Sequence, residues 1–155
     1  MNRKILTLLI VLIAAVSIAS VCAAELTKVN DFDGKFKMNI SDNSTFKEVV
    51  DGTNHSPLLS SKAWSDNQTA LVCLYDKAID NVLSELKSNS GYMDAPKTEG
   101  NLTILEYKDY GEGSSQEYAF HYFVGVSSPD KTKSVFIASN DLNSAKDYAN
   151  TIVFE

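Results

Sequence analysis

Glu117-Tyr-Ala-Phe-His-Tyr-Phe-Val-Gly-Val126, followed by the turn Ser128-Pro-Asp-Lys131 and then by Ser134-Val-Phe-Ile-Ala138, is the stretch from which the fold is read. Tyr118, Phe120, Tyr122 and Val124 alternate with Ala119, Phe123 and Gly125, so both faces of the extended segment are apolar. A strand apolar on both faces belongs in the middle of a sheet covered on each side. Pro-Asp then turns the chain back into a second apolar strand. Next, Asp141 stands where a helix cap belongs, with Leu142, Ala145, Tyr148, Ala149 and Ile152 on one helical face. Two hairpin-connected strands and a helix laid on them set the pattern.

Working outward, Leu102 to Tyr107 reads as another strand, separated from the first by the Gly-rich turn Tyr110-Gly-Glu-Gly-Ser-Ser115. Upstream lies an amphipathic helix: Asp76 caps it, Ile79, Val82, Leu83 and Leu86 form its apolar face, and Gly91 follows its end. Leu58–Trp64 and Thr69–Tyr75 form a hairpin around Ser65-Asp-Asn-Gln68. In Lys35-Phe-Lys-Met-Asn-Ile40, Phe36, Met38 and Ile40 alternate with polar residues, the mark of a half-buried strand. Between these, residues 41–57 are polar, with a short helical turn at Phe46-Lys-Glu-Val-Val50. No repeat or linker divides the chain. Residues 25–155 are therefore expected to form a single α+β domain, an antiparallel β-sheet with two helices packed on it.

Residues 1–24 read differently. Arg3 and Lys4 precede an almost purely aliphatic run from Ile5 to Val21, and Val21-Cys-Ala-Ala24 ends it in mostly small residues. Positive start, apolar middle and small-residue end form the secretory pattern, with signal cleavage after Ala24. The run approaches the length of a membrane span, so an uncleaved anchor is the competing reading. Lipid attachment at Cys22 fits less well, because Val21 is bulky where that cleavage favours small residues. Either way Arg3 and Lys4 stay inside, and the domain is delivered to the outer side.

Of 155 residues, 131 then remain, with 12 lysines, no arginine and 20 acidic groups. Without arginine forks or a basic patch, binding of nucleic acid or of anionic lipid is disfavoured, and membrane contact is expected only through the N-terminal segment. Cys73, in Thr69-Ala-Leu-Val-Cys-Leu-Tyr75, would be the single remaining cysteine, a buried filler and not a disulfide partner. Asn39, Asn43, Asn54, Asn67 and Asn101 each head an Asn-x-Ser/Thr triplet, so glycosylation is expected at these positions in an exported chain. An Asn/Ser/Thr-rich composition carrying no sugar is the alternative.

Candidate chemistry is sparse. Asn30-Asp-Phe-Asp-Gly34 resembles the start of a calcium loop, but with Gly34 sixth the first and twelfth positions are Val29 and Ile40, so an Asp-x-Asp-Gly turn explains it. Asp109, Glu112 and Glu117 flank the Gly-rich turn and read as a solvated loop. His55, His121 and Cys73 fall short of the four ligands of a structural zinc site, and a Cys73–His121 nucleophile pair lacks any local thiol-enzyme signature. There is no Gly-x-Ser-x-Gly elbow, phosphate loop or dinucleotide fingerprint. No catalytic, cofactor or metal residues are therefore expected. Trp64, Tyr92, Tyr107, Tyr110, Tyr118, Tyr122 and Tyr148 can line a carbohydrate- or peptide-binding face, although most suit core packing, Tyr107 and Tyr110 excepted.

Lys28-Val-Asn-Asp-Phe-Asp-Gly-Lys-Phe-Lys-Met38, directly after the leader, resembles small secreted proteins of methanogenic archaea. The order of early Phe-x-Met-x-Ile strand, central helix, aromatic strands and closing helix is similar to PsbP-like α/β/α domains. These resemblances imply an exported domain and supply no catalytic residues. The functional expectation is a secreted or cell-surface module, non-enzymatic, binding an extracellular protein or glycan. The alternative is a small extracellular hydrolase or hydrolase inhibitor acting through His121 or His55.

Overall fold

In a computed structural model of the chain, residues 25–49, 60–66, 69–89, 95–106 and 120–155 are described. The leader, its cleavage site after Ala24, His55 and the acidic group at 109–117 lie outside them, as do Tyr92, Tyr107, Tyr110 and Tyr118. Ten strands and two helices are described: β1 (Lys28–Phe32), β2 (Phe36–Ile40), β3 (Lys47–Glu48), β4 (Lys62–Asp66), β5 (Ala70–Tyr75), α1 (Ile79–Asn89), β6 (Lys97–Glu99), β7 (Leu102–Glu106), β8 (Tyr122–Ser127), β9 (Ser134–Ser139), α2 (Leu142–Asn150) and β10 (Val153–Phe154). Every pairing is antiparallel, and the α+β class holds. Among the described residues no helix is long and apolar enough to cross a membrane.

The sheet is larger than expected, and it has company. Seven strands run in the order β3-β4-β5-β9-β8-β7-β6, and a separate three-stranded sheet has the order β1-β2-β10. The β8–β9 hairpin lies near the middle, as the two-faced apolar pattern requires. Residues alternate strictly between two cores. Ala70, Val72, Leu74, Val124, Val126, Val135 and Ile137 point to one side, where they meet β1, β2 and α2. Leu71, Cys73, Tyr75, Phe123, Phe136 and Ala138 point to the other, where α1 brings Ile79, Val82 and Leu83. The helices therefore cover opposite faces.

Three sequence expectations are corrected. Residues 46–49, the described part of the expected helical turn, are not helical: Lys47 and Glu48 pair with Ser65 and Trp64 as the edge strand β3. The β4 strand begins at Lys62, with Ser60 and Ser61 outside it, and Asp66 stands opposite Ala70; Leu58 lies outside the described residues. Asp76 does not cap α1. That helix begins at Ile79, the Ala78 carbonyl accepts from Asn81 and Val82, and the Asp76 N–H goes to Ser61 Oγ. The Asp-x-Asp-Gly turn forms as expected, joining β1 to β2, and in it Asp33 and Gly34 take φ of 57° and 63°. Asp31 Oδ1 accepts the Gly34 N–H at 2.7 Å, so its oxygen serves the turn.

Gly125 has a packing reason to be glycine. A Cβ there would lie 2.6 Å from the Phe136 ring and 2.9 Å from Ile79 Cδ1. Phe136 stands opposite Gly125 across the ladder and lays its ring over the bare backbone, where α1 then packs.

Candidate functional site

At the end of β9 the central strands converge: Ala70 of β5 and Tyr122 of β8 both stand opposite Ser139. The chain then turns through Asn140 into α2. An open recess of about 480 Å³ lies at this junction, lined by Thr69, Ala70, Ser139, Asn140, Asp141, Ser144 and Tyr148.

Each polar wall is built by the fold. Asp141 caps α2 as the sequence predicts, with its carboxylate accepting from the Asn143 and Ser144 N–H groups at 3.1 and 3.4 Å. The Ser144 hydroxyl donates to the same carboxylate at 2.6 Å. That hydroxyl, helped by the Asn143 and Ser144 backbone donors against slight burial, holds the Asp141 carboxyl below the usual range. Buried Ser139 donates to the Thr69 carbonyl at 3.3 Å and accepts the Asp141 N–H at 3.1 Å, which fastens β5 to the helix entry. Asn140 Oδ1 accepts the His121 N–H at 3.0 Å and fastens the start of β8.

The apolar side of the recess is Tyr148. Its half-buried ring meets Phe46 edge-on, with centroids 5.9 Å apart. Phe46 leans in turn on Phe32, which stacks on Phe36 at 4.6 Å and abuts Trp64 at 5.1 Å. An aromatic chain running from the β1–β2 hairpin thus supports the one ring that faces the recess. Such edge-to-face contacts fix ring orientation.

Other predicted residues fall elsewhere. Cys73 is fully buried in β5, and burial pushes its thiol up to about 12 against hydrogen bonds from Tyr75 and Ser60. It is an inert filler, since the nucleophile is the thiolate. Cys73 stands opposite Phe136, whereas exposed His121 adjoins Asn140 four residues farther along, roughly 13 Å at strand rise. The sheet register separates this pair. Trp64 is core.

Among the sequons, Asn39 lies half-buried on the outward side of β2, its backbone N–H donating to Thr151 Oγ1 at 3.0 Å. Asn43 is exposed in a turn, and Asn101 is exposed between β6 and β7. Asn54 and Asn67 lie outside the described residues. No group of three His, Cys, Asp or Glu side chains able to hold a metal occurs among the described residues.

The recess itself escaped sequence reasoning. Its walls come from positions 69–70 and 139–148, brought together only by β5–β9 pairing. The signal that was present, the Asp141 cap, marks a helix start and not a cavity. Comparison with protein-family models, with curated proteins and with solved structures finds no match to this chain.

Proposed function

We propose that the chain is an exported binding module of the cell surface or envelope, non-enzymatic, taking an extracellular protein or glycan in the recess beside α2. The leader pattern supports export, and the acidic, arginine-free remainder with its sequons agrees with life outside the cell. The observation that carries the binding role is the state of Ser144. Its hydroxyl is locked at 2.6 Å on a carboxylate held below the usual range, a weak base committed to capping a helix. A nucleophilic serine needs a base that takes its proton, whereas hydroxyls and amides fixed by their own hydrogen bonds are suited to recognition.

The test is a photo-crosslinking residue at position 144 in the full chain, produced in its native cells. Adducts that form on intact cells at 144, and not at exposed Asp80 of α1 on the opposite face, are the expected result. Equal labelling at the two positions contradicts the reading. The hydrolase alternative draws on the tether between His121 and recess residue Asn140. It requires hydrolysis of simple esters or glycosides by the purified chain that disappears in His121→Ala with folding intact.

A further inference from the structure

We infer that the recess between β5, β9 and the start of α2 is a saccharide-binding site, with Tyr148 as the platform for a sugar ring and Asn140, Asp141, Ser144 and Thr69 as partners for its hydroxyls. The inference rests on the binding-module reading and narrows it to a ligand class. Three features select that class. The cavity of about 480 Å³ falls within the roughly 300–1,000 Å³ typical of small-ligand sites. Its lining combines one braced aromatic face with hydroxyl, carboxamide and carboxylate groups, a mixture of donors and acceptors. A sugar presents that complement, with C–H groups on one face and hydroxyls around the edge.

Charge decides among the remaining ligands. The described lining contains no lysine, so an anion finds no counter-charge and meets Asp141. A cation gains little, because the Asp141 carboxylate already accepts two backbone N–H groups and one hydroxyl at the positive end of a helix. A carboxylate offers about four acceptor positions, which leaves it room for about one more donor, as a sugar hydroxyl would supply. Asn140 has its oxygen occupied by His121 N–H, and its amide nitrogen carries two donors. A neutral polyhydroxylated ring satisfies these groups without burying charge.

The test is a nitrogen-15 NMR titration of the full chain in detergent micelles. The probes are glucose, galactose, mannose, N-acetylglucosamine and their β-linked dimers, with n-butylammonium as the cationic probe. At least one saccharide is expected to shift the amides of Ala70, residues 139–144 and Tyr148 saturably. Tyr148→Ala should weaken that binding about tenfold or more. Asp80→Asn, which removes an exposed acidic group on α1 outside the recess, should change it by less than about threefold. Should Tyr148→Ala fail to fold, Ser144→Ala serves instead, with an expected loss of about threefold or more. Absence of saturable shifts with every saccharide overturns the inference, as does saturation by n-butylammonium that Asp141→Asn abolishes. A failed titration alongside specific crosslinking at position 144 removes the sugar and leaves the binding module standing.

Discussion

α1 and α2 lie on opposite faces of one sheet and are anchored in different ways. α2 enters through a side-chain cap and packs buried Ala145 and Ala149 against the core. Hydrogen bonds in and beside it tie it to three distant strands: Lys146 donates to Glu99 of β6, Thr151 Oγ1 accepts the Asn39 N–H of β2, and Ser139 donates to the Thr69 carbonyl just before β5. α1 begins at an alanine carbonyl and carries an ion pair between Lys77 and its own Glu85. Its ties to the sheet at that end are the Ser134 hydroxyl on the Lys77 carbonyl and the Asp76 N–H on Ser61 Oγ. A helix held by such long-range bonds keeps neighbouring groups in fixed positions, and the recess lies beside that helix. α1 mainly contributes apolar area.

The largest perturbation should come from the layer that braces α2. Phe36 is fully buried, stacked on Phe32 and edge-on to Trp64. Phe36→Ala is expected to cost about 3–5 kcal/mol in urea unfolding. A cost below about 1 kcal/mol would show that the aromatic chain braces nothing.

On the α1 face the corresponding change is Gly125→Ala. The new methyl must displace Phe136 and Ile79, at an expected cost of about 1–3 kcal/mol. Phe136→Leu in the same chain should recover part of that loss, because the two positions share one space. Simple addition of the two single costs would contradict the close approach.

Alkali separates the faces as well. The Cys73 thiol is raised in the folded protein to about 12, so between its ordinary value near 9 and that point only the unfolded chain releases the proton. Its contribution is fully present below pH 9 and is lost as pH rises, by about 1.4 kcal/mol at pH 10. Cys73→Ala should flatten this part of the stability profile, and the native thiol should resist alkylation at pH 8. An unchanged slope in the variant would overturn the assignment.

Smaller still is Asp141→Ala, which removes the cap of α2 for about 1 kcal/mol. The carboxyl is depressed in the folded state, so its contribution is present at neutral pH and lost as pH falls through the folded value. Asp141→Asn should keep most of the stability and lose the acid dependence. A full loss in both variants would place the effect in the charge and not in the hydrogen bonds.

What was legible in the sequence follows the range of the interactions. The alternation of Phe36, Met38 and Ile40, the β8–β9 hairpin and the Asp141-capped helix are local patterns, and the structure repeats them. The strands β3, β6 and β10 have two or three residues, too few to show a period of two, and β1 (Lys-Val-Asn-Asp-Phe) has no apolar alternation. β10 exists only because Val153 and Phe154 reach Lys37 and Phe36, far back in the chain. Asp76 looked like a cap because its residue type favours that position, yet the Ser61 bond to its backbone places the start of α1 two residues later. The recess was hidden for the same reason as β10. Tyr148 reads as one more core residue of a helix face until Thr69 and Ser139 are brought beside it.

Native-state hydrogen exchange of the full chain tests the difference between the helices most directly. The amides of Ala145 to Ala149 in α2 are expected to exchange only through global unfolding, with the same free energy as β9. Those of Val82 to Glu85 in α1 should open locally and exchange about tenfold faster or more. If α2 exchanges as fast as α1, or faster, the recess has no rigid wall and the account built on it fails.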